Sequence, residues 1–140
     1  MSDDEIEDYD YQEFKRVPMP GFYYNKIQSY QDYQTAYLNA LLLLGVTQTP
    51  EDLRAEKNLR GLDSHPIQAL LRNAYKFGFM LKMYKSIKSI VVSPGVIMCK
   101  INHVWHAFDA KNGIFVDSLT GSIKYDPVSH IVLMYKFVKL

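Results

Sequence analysis

Cysteine is nearly absent from this chain of 140 residues, which contains only Cys99. A single thiol cannot form a disulfide within the chain, and it cannot hold zinc in a site built from cysteines. Long apolar runs are missing too, since the four consecutive leucines at 41–44 fall far short of the ~20 apolar residues that span a bilayer. The acidic N-terminus also lacks the apolar stretch of a signal peptide. We therefore expect a cytoplasmic protein that does not contact membranes.

Basic residues are absent from the first thirteen positions, although sixteen lysines and arginines follow. The rest of the chain therefore carries an excess of positive charge. An acidic arm beside a basic body predicts that the arm binds a basic surface of its own or a neighbouring subunit. A solvated tail is the alternative. The thirteen positions contain seven of the fifteen acidic residues, namely Asp3, Asp4, Glu5, Glu7, Asp8, Asp10 and Glu13.

Tyrosine is abundant, with eleven copies, several of them close to the N-terminus. This residue is enriched in protein interfaces because it combines a large contact area with a polar tip. We therefore predict that residues 1–26 form an extended arm that docks onto other protein subunits, of the same or a different kind. Nucleic acid is not an expected partner, because no recognised binding motif accompanies the basic residues. The predicted binding residues are Asp3, Asp4, Glu5, Glu7, Asp8, Tyr9, Tyr11, Tyr23 and Tyr24.

Residues 27–140 form one predicted domain that is helical in its first half and rich in strands in its second. Each predicted helix is followed within two residues by a glycine that can end it. The strands are recognised by their valine, isoleucine and aromatic content. Helices followed by an antiparallel sheet indicate the α+β class. The predicted helices cover 34–44, 50–59 and 64–77, and the strands cover 79–83, 96–101, 103–109, 114–117 and 131–139.

His103 and Asp117 are the ionisable residues that stand out. His103 is predicted to open a strand, and Asp117 to close the next one after the Asn112-Gly113 turn. Such positions can lie side by side across a hairpin, and a carboxylate there fixes the tautomer of an imidazole, as in nucleophilic triads. His106 would face the other side of the sheet, so these histidines do not predict a metal site. Ordinary strand histidines are the alternative.

The segment 28–42, QSYQDYQTAYLNALL, resembles the start of papain-like cysteine peptidases. The most similar are the Josephin-type deubiquitinating domains and the peptidases that cleave bacteriocin leaders. These families have a glutamine five or six residues before a cysteine that opens a long apolar helix. The His103-Val-Trp strand and the Asp117-Ser-Leu turn resemble the family's His-Trp strand and Asp/Asn-Ser-Leu turn. The resemblance covers about residues 27–138 and implies a papain-like α+β fold.

Carried over position by position, the resemblance implies that Gln28 would take the oxyanion-hole position, His103 the role of general base, and Asp117 that of the residue orienting it. The cysteine position falls on Tyr33. Tyrosine is a poor nucleophile, and its ring would fill the space that a scissile carbonyl must enter. Cys99 lies in a predicted strand rather than at a helix start and is interpreted as a core residue. The scaffold thus resembles a peptidase without its nucleophile.

The expected function is therefore that of a non-catalytic structural or interaction protein, a subunit of a larger assembly that docks through its N-terminal arm. Compact, cysteine-poor chains with long arms fit phage or viral particles, so the host cytoplasm or a virion is the expected location. One alternative is a cysteine-peptidase-like enzyme that uses Gln28, His103 and Asp117. Another is a pseudoenzyme that binds peptides in the same cleft. No cofactor and no metal ion are expected.

Overall fold

The structure, a computed structural model, describes residues 21–24, 32–55, 66–84, 94–121, 123–124 and 131–140. Within these ranges the helices precede the strands, which confirms the predicted α+β class. The helices are α1 (Asp32–Leu43), α2 (Pro50–Ala55) and α3 (Pro66–Lys76). The strands are β1 (Phe79–Tyr84), β2 (Val96–Ile101), β3 (Val104–Asp109), β4 (Ile114–Val116), β5 (Ile123–Lys124) and β6 (Leu133–Lys139).

Several positions singled out by the sequence lie outside the described residues. They are the acidic arm, including Asp3, Asp4, Glu5, Glu7, Asp8, Tyr9 and Tyr11, the oxyanion-hole candidate Gln28, and the end of the second predicted helix and start of the third.

The ends of the helices follow from local sequence. α1 ends in a Schellman motif, in which Gly45 has a φ of 85° and the Val46 amide donates to the Leu41 carbonyl. Glycine accepts this left-handed backbone without steric cost. α2 begins with a reciprocal cap, because the Asp52 amide donates to the Thr49 hydroxyl and the Thr49 amide donates to the Asp52 carboxylate. Both boundaries agree with the sequence predictions.

The six strands form one antiparallel sheet in the order β1-β6-β2-β3-β4-β5. β6, at the end of the chain, therefore lies between β1 and β2. β5 is a two-residue strand that the sequence did not predict. Two short connections join neighbouring strands: residues 102–103 between β2 and β3, and residues 110–113 between β3 and β4.

The two faces of the sheet contribute to two separate apolar clusters. One face packs against α1, ten of whose twelve residues are buried, which makes it the central helix of the main core. Trp105 and Ala107 of β3 lie on this face. The opposite face carries a smaller cluster, because successive side chains of a strand alternate between faces. Its buried members are Ile97, Cys99, Phe108, Phe115 and Met134.

The spacing of Ile67, Leu70, Leu71, Ala74 and Tyr75 in the sequence predicts that they share one buried face of α3. Leu70 and Ala74 are fully buried, as this spacing indicates, whereas Tyr75 is 66% exposed. Asn73 takes a buried place, where its side chain exchanges hydrogen bonds with the Gln48 side chain and accepts one from the Tyr37 hydroxyl. A polar network therefore replaces one of the expected apolar contacts.

Candidate functional site

The start of α1 is joined directly to the start of β3. The Asp32 carboxylate accepts a hydrogen bond of 2.8 Å from the backbone amide of Trp105, and both residues are buried. A carboxylate in the first turn is also favoured by the helix dipole. This contact sets the position of Tyr33, the next residue, relative to the strand that follows His103.

Tyr33 occupies the position where the resemblance places a nucleophilic cysteine. Its side chain is buried, with 6% exposure, and belongs to the main core between α1 and the sheet. A phenol in this position takes up the volume that a substrate carbonyl would need. At the helix start the chain therefore offers packing in place of an accessible nucleophile.

His103 is exposed and lies in the turn between β2 and β3, not in a strand. Asn102 and His103 have φ values of 50° and 67°. Positive φ at both central residues is the mark of a type I′ hairpin turn, for which Asn-Gly is the preferred pair. The prediction that His103 opens a strand beside Asp117 is therefore wrong, because His103 is the second residue of a two-residue turn and β3 begins at Val104.

Asp117 lies beside His106 instead. The register of β3 and β4 pairs Ala107 with Val116, so one further step places His106 opposite Asp117. Their Nδ1 and Oδ1 atoms are 3.9 Å apart. Nδ1 of His106 also accepts a hydrogen bond of 2.9 Å from the backbone amide of Ser118. An accepting Nδ1 carries no proton, so Asp117 does not receive the Nδ1–H bond that orients a triad histidine.

The sheet separates His106 from Tyr33. The His106 ring packs against Phe115 at a centroid distance of 5.0 Å, and Phe115 belongs to the cluster on the face away from α1. Tyr33 belongs to the cluster on the helix side. His106 is therefore not placed to serve a nucleophile at the start of α1.

Cys99 does not supply a nucleophile either. Its side chain is fully buried in β2, on the face of the sheet away from α1. Burial raises the pKa of the Cys99 thiol well above its ordinary value of 9.0, because desolvation disfavours the thiolate. The sequence interpretation of Cys99 as a core residue agrees with this placement.

Residues 21–24, assigned to the arm by sequence, pack against the domain. Phe22 is buried in the main core. The Asn39 side chain holds the next residue from both sides, because it accepts from the Tyr23 amide at 2.8 Å and donates to the Tyr23 carbonyl at 2.9 Å. Tyr24 is 55% exposed, and a Cβ added at Gly121 would lie 3.3 Å from its ring. The end of the arm is thus anchored on α1 and beside the turn after β4.

A small cavity of about 180 Å³ lies between this anchored segment, α1 and α2. The Nε2 atom of Gln34 is buried and has no hydrogen-bond partner in the described part of the chain. Burial raises the pKa of the Tyr23 hydroxyl at the edge of the cavity, and the negative charges of Glu51 and Asp52 raise it further. The lining residues are Tyr23, Tyr24, Gln34, Thr35, Leu38, Pro50 and Arg54.

A larger groove of about 650 Å³ lies at the end of the sheet where β1 and β2 begin and β3 and β6 end. No local sequence pattern marks this groove, because its residues come from strands that are far apart in the chain. We call it the lysine groove. It is lined by the lysines Lys82, Lys111, Lys136 and Lys139, and by Leu44, Phe79, Met80, Tyr84, Pro94, Gly95, Val96, Asp109, Asn112, Phe137 and Val138.

Among the described residues, no group of three or more histidine, cysteine, aspartate or glutamate side chains is arranged to hold a metal ion. Across the same residues, no helix has the length and apolar character needed to cross a membrane. No protein-family model matches the sequence, and neither a curated protein nor a solved structure gives a significant match to it.

Proposed function

We propose that this chain is a non-catalytic interaction protein, a subunit of a larger assembly that docks through its acidic N-terminal arm. The burial of Tyr33 is the observation that carries the first part of the proposal. A papain-like peptidase needs an accessible thiolate at the start of this helix. Here a core tyrosine fills the position, and the candidate base His103 lies in an exposed turn.

Charge supports the second part of the proposal. Seven acidic residues and no basic ones precede position 14, so the arm is strongly attracted to any basic surface within reach. The Asn39 contacts with Tyr23 fix where the arm leaves the domain. A fixed exit point reduces the conformational entropy that docking of the arm must overcome.

A second candidate is a pseudoenzyme that binds peptides near the former nucleophile position. The observation that favours it is the cavity beside α1, where Gln34, the residue after Tyr33, has an unsatisfied amide nitrogen. A peptide carbonyl would satisfy that donor. The small volume of about 180 Å³ limits such a ligand to a single side chain or a short piece of backbone, since sites for drug-sized molecules measure about 300–1,000 Å³.

The experiment compares the mass of the full chain in solution with that of a variant whose arm is neutral. This arm-neutral variant carries D3N, D4N, E5Q, E7Q, D8N, D10N and E13Q, which preserve side-chain size. We expect the unmodified chain to self-associate, or to retain a co-purified partner, and the arm-neutral variant to measure as a monomer of 16.3 kDa by light scattering. Monomers in both cases, with no retained partner, would contradict docking through the arm.

A peptidase assay on the unmodified chain tests the non-catalytic part separately. A quenched-fluorescence library of short peptides should show no cleavage above buffer. Cleavage that is abolished by His103→Ala or Asp117→Asn would restore the enzymatic alternative.

A further inference from the structure

We infer that the lysine groove is the docking site for the acidic arm of a second copy of this chain. The inference rests on the proposed function, because it assigns a surface to the arm. Four lysines line the groove, and seven acidic residues occupy positions 3–13. The groove and the arm carry charges of opposite sign. Because both belong to the same chain, every copy supplies one groove and one arm.

The topology of the sheet creates the concentration of lysines. Lys82 of β1 and Lys136 of β6 are direct partners across the two strands. Two like charges placed opposite each other raise the positive potential of this part of the sheet. Lys139 ends β6, and Lys111 comes from the turn after β3, which lies at the same end of the sheet. Four lysines from three parts of the chain therefore line the same groove.

The acidic residue of the groove does not cancel this charge. Asp109 is buried, and its carboxylate accepts hydrogen bonds from the Lys111 amide and from the backbone and side-chain nitrogens of Asn112. These contacts fix Asp109 as the structural centre of the turn. Lys82, Lys111 and Lys139 outnumber this one carboxylate, so the groove keeps an excess of positive charge for an incoming anion.

The groove also offers aliphatic and aromatic surface. The Lys136 side chain packs over Gly95 at the start of β2, since a Cβ added at position 95 would lie 3.3 Å from its Cε. Apolar lining from Phe79 and Met80 offers contact surface for side chains such as the arm's tyrosines. A volume of about 650 Å³ lies within the usual range for binding pockets, so part of the arm, not all of it, would enter.

The deciding experiment reverses the charge of the groove in the full chain. The groove-reversed variant is K82E/K111E/K139E, three exposed lysines; Lys136 is left unchanged because it is half-buried against Gly95. Its control is R72E/K76E, two exposed residues outside the groove, and K82E/K139E is the groove variant with the same change in net charge. We expect the groove-reversed variant to be monomeric and the control to keep the mass of the unmodified chain.

Mixing the groove-reversed and arm-neutral variants distinguishes docking between two copies from docking of an arm into the groove of its own chain. The groove-reversed variant retains a working arm, and the arm-neutral variant retains a working groove. We expect each to be monomeric alone and the mixture to form a complex of about twice the chain mass of 16.3 kDa. The complex should dissociate at ~0.5 M salt, where charge–charge attraction is largely screened. Two monomers that remain separate on mixing would overturn docking between copies.

Other outcomes separate this inference from the proposed function. If the arm-neutral variant dissociates and the groove-reversed variant does not, the arm docks elsewhere and only the groove assignment fails. If neither variant changes the mass of an associated chain, both fail. Binding of a fluorescent single-stranded oligonucleotide that disappears in the groove-reversed variant, with self-association unchanged, would assign the groove to nucleic acid and overturn the inference.

Discussion

The backbone amide of Ser118 donates a hydrogen bond of 2.9 Å to Nδ1 of His106. This bond determines the state of the imidazole, because an atom that accepts from an amide cannot itself carry a proton. Asp117, 3.9 Å from the same nitrogen, uses its Oδ1 atom to accept from the Leu119 amide at 2.8 Å. His106 of β3 thus accepts a hydrogen bond from the turn that follows β4, which explains a buried histidine without invoking catalysis.

We predict that neutral His106 has its proton on Nε2. Long-range ¹⁵N–¹H correlation of the imidazole at pH 8 should show Nδ1 as the unprotonated nitrogen. His106→Asn should retain part of the stability because the amide oxygen can replace Nδ1 as acceptor, whereas His106→Phe should lose ~1–3 kcal/mol by leaving the Ser118 amide unsatisfied. A protonated Nδ1 in the neutral ring would contradict the geometry.

His103→Gly should stabilise the protein. His103 has a φ of 67° in the hairpin turn, and glycine adopts this conformation without the strain that other residues incur. The expected gain is ~0.5–1 kcal/mol in the free energy of unfolding, measured by urea denaturation. His103→Ala is the matched control and should not be stabilising, because alanine retains the strain. A loss of stability in the glycine variant would mean that the imidazole makes a necessary contact.

The sequence predicted the helices and most strands because their signals are local. Gly45 ends α1 and Thr49 caps α2 through contacts within five residues. The residue that lies opposite Asp117 could not be predicted from local sequence, because it depends on the register between two strands. A four-residue connection at 110–113 places His106 opposite Asp117. The β2–β3 turn was also difficult to predict, because Asn102 and His103 form a two-residue hairpin turn in which histidine is an uncommon residue.

The lysine groove shows a different limit of sequence reasoning. Lys82 and Lys136 are more than fifty positions apart, and they meet only because β6 inserts between β1 and β2. Nothing local to either strand encodes that order. In contrast, the burial of Cys99 was predictable from its apolar neighbours in β2, since a lone cysteine in an apolar strand is usually a core residue.

Cys99 should resist alkylation in the folded protein. Its side chain is fully buried and its thiol pKa is raised by burial, so the reactive thiolate is scarce and inaccessible. Iodoacetamide at pH 8 should label the thiol only as fast as the protein unfolds, and label it at once in 8 M urea. Rapid labelling of the native chain would show that this part of the sheet opens.

The same thiol should lower stability at alkaline pH. Below pH 9 the thiol is protonated in both states and contributes no pH dependence. Above the ordinary value of 9.0 the unfolded chain loses the proton while the folded chain keeps it, so the free energy of unfolding falls as pH rises. The difference in stability between the unmodified chain and Cys99→Ala should shrink by at most about 1.4 kcal/mol per pH unit, measured by urea denaturation from pH 8 to 10.

Tyr33→Cys should place a thiol at the start of α1 without creating a peptidase. The substitution removes a buried ring from the main core, which should cost ~3–5 kcal/mol, by analogy with other truncations of large core aromatics. The new thiol would lie near a helix start, where thiolates are favoured. His103 lies in an exposed turn and His106 on the far side of the sheet, so neither would act as its base.

Tyr33→Phe is the control, since it retains the ring and should cost far less than Tyr33→Cys. A fluorogenic peptide assay on Tyr33→Cys should stay at the level of the unmodified chain even when alkylation confirms that the new thiol is reactive. Cleavage that appears in Tyr33→Cys and is lost again in Tyr33→Cys with His103→Ala would show that the turn closes over the helix start. The scaffold would then have kept its catalytic geometry and lost only its nucleophile.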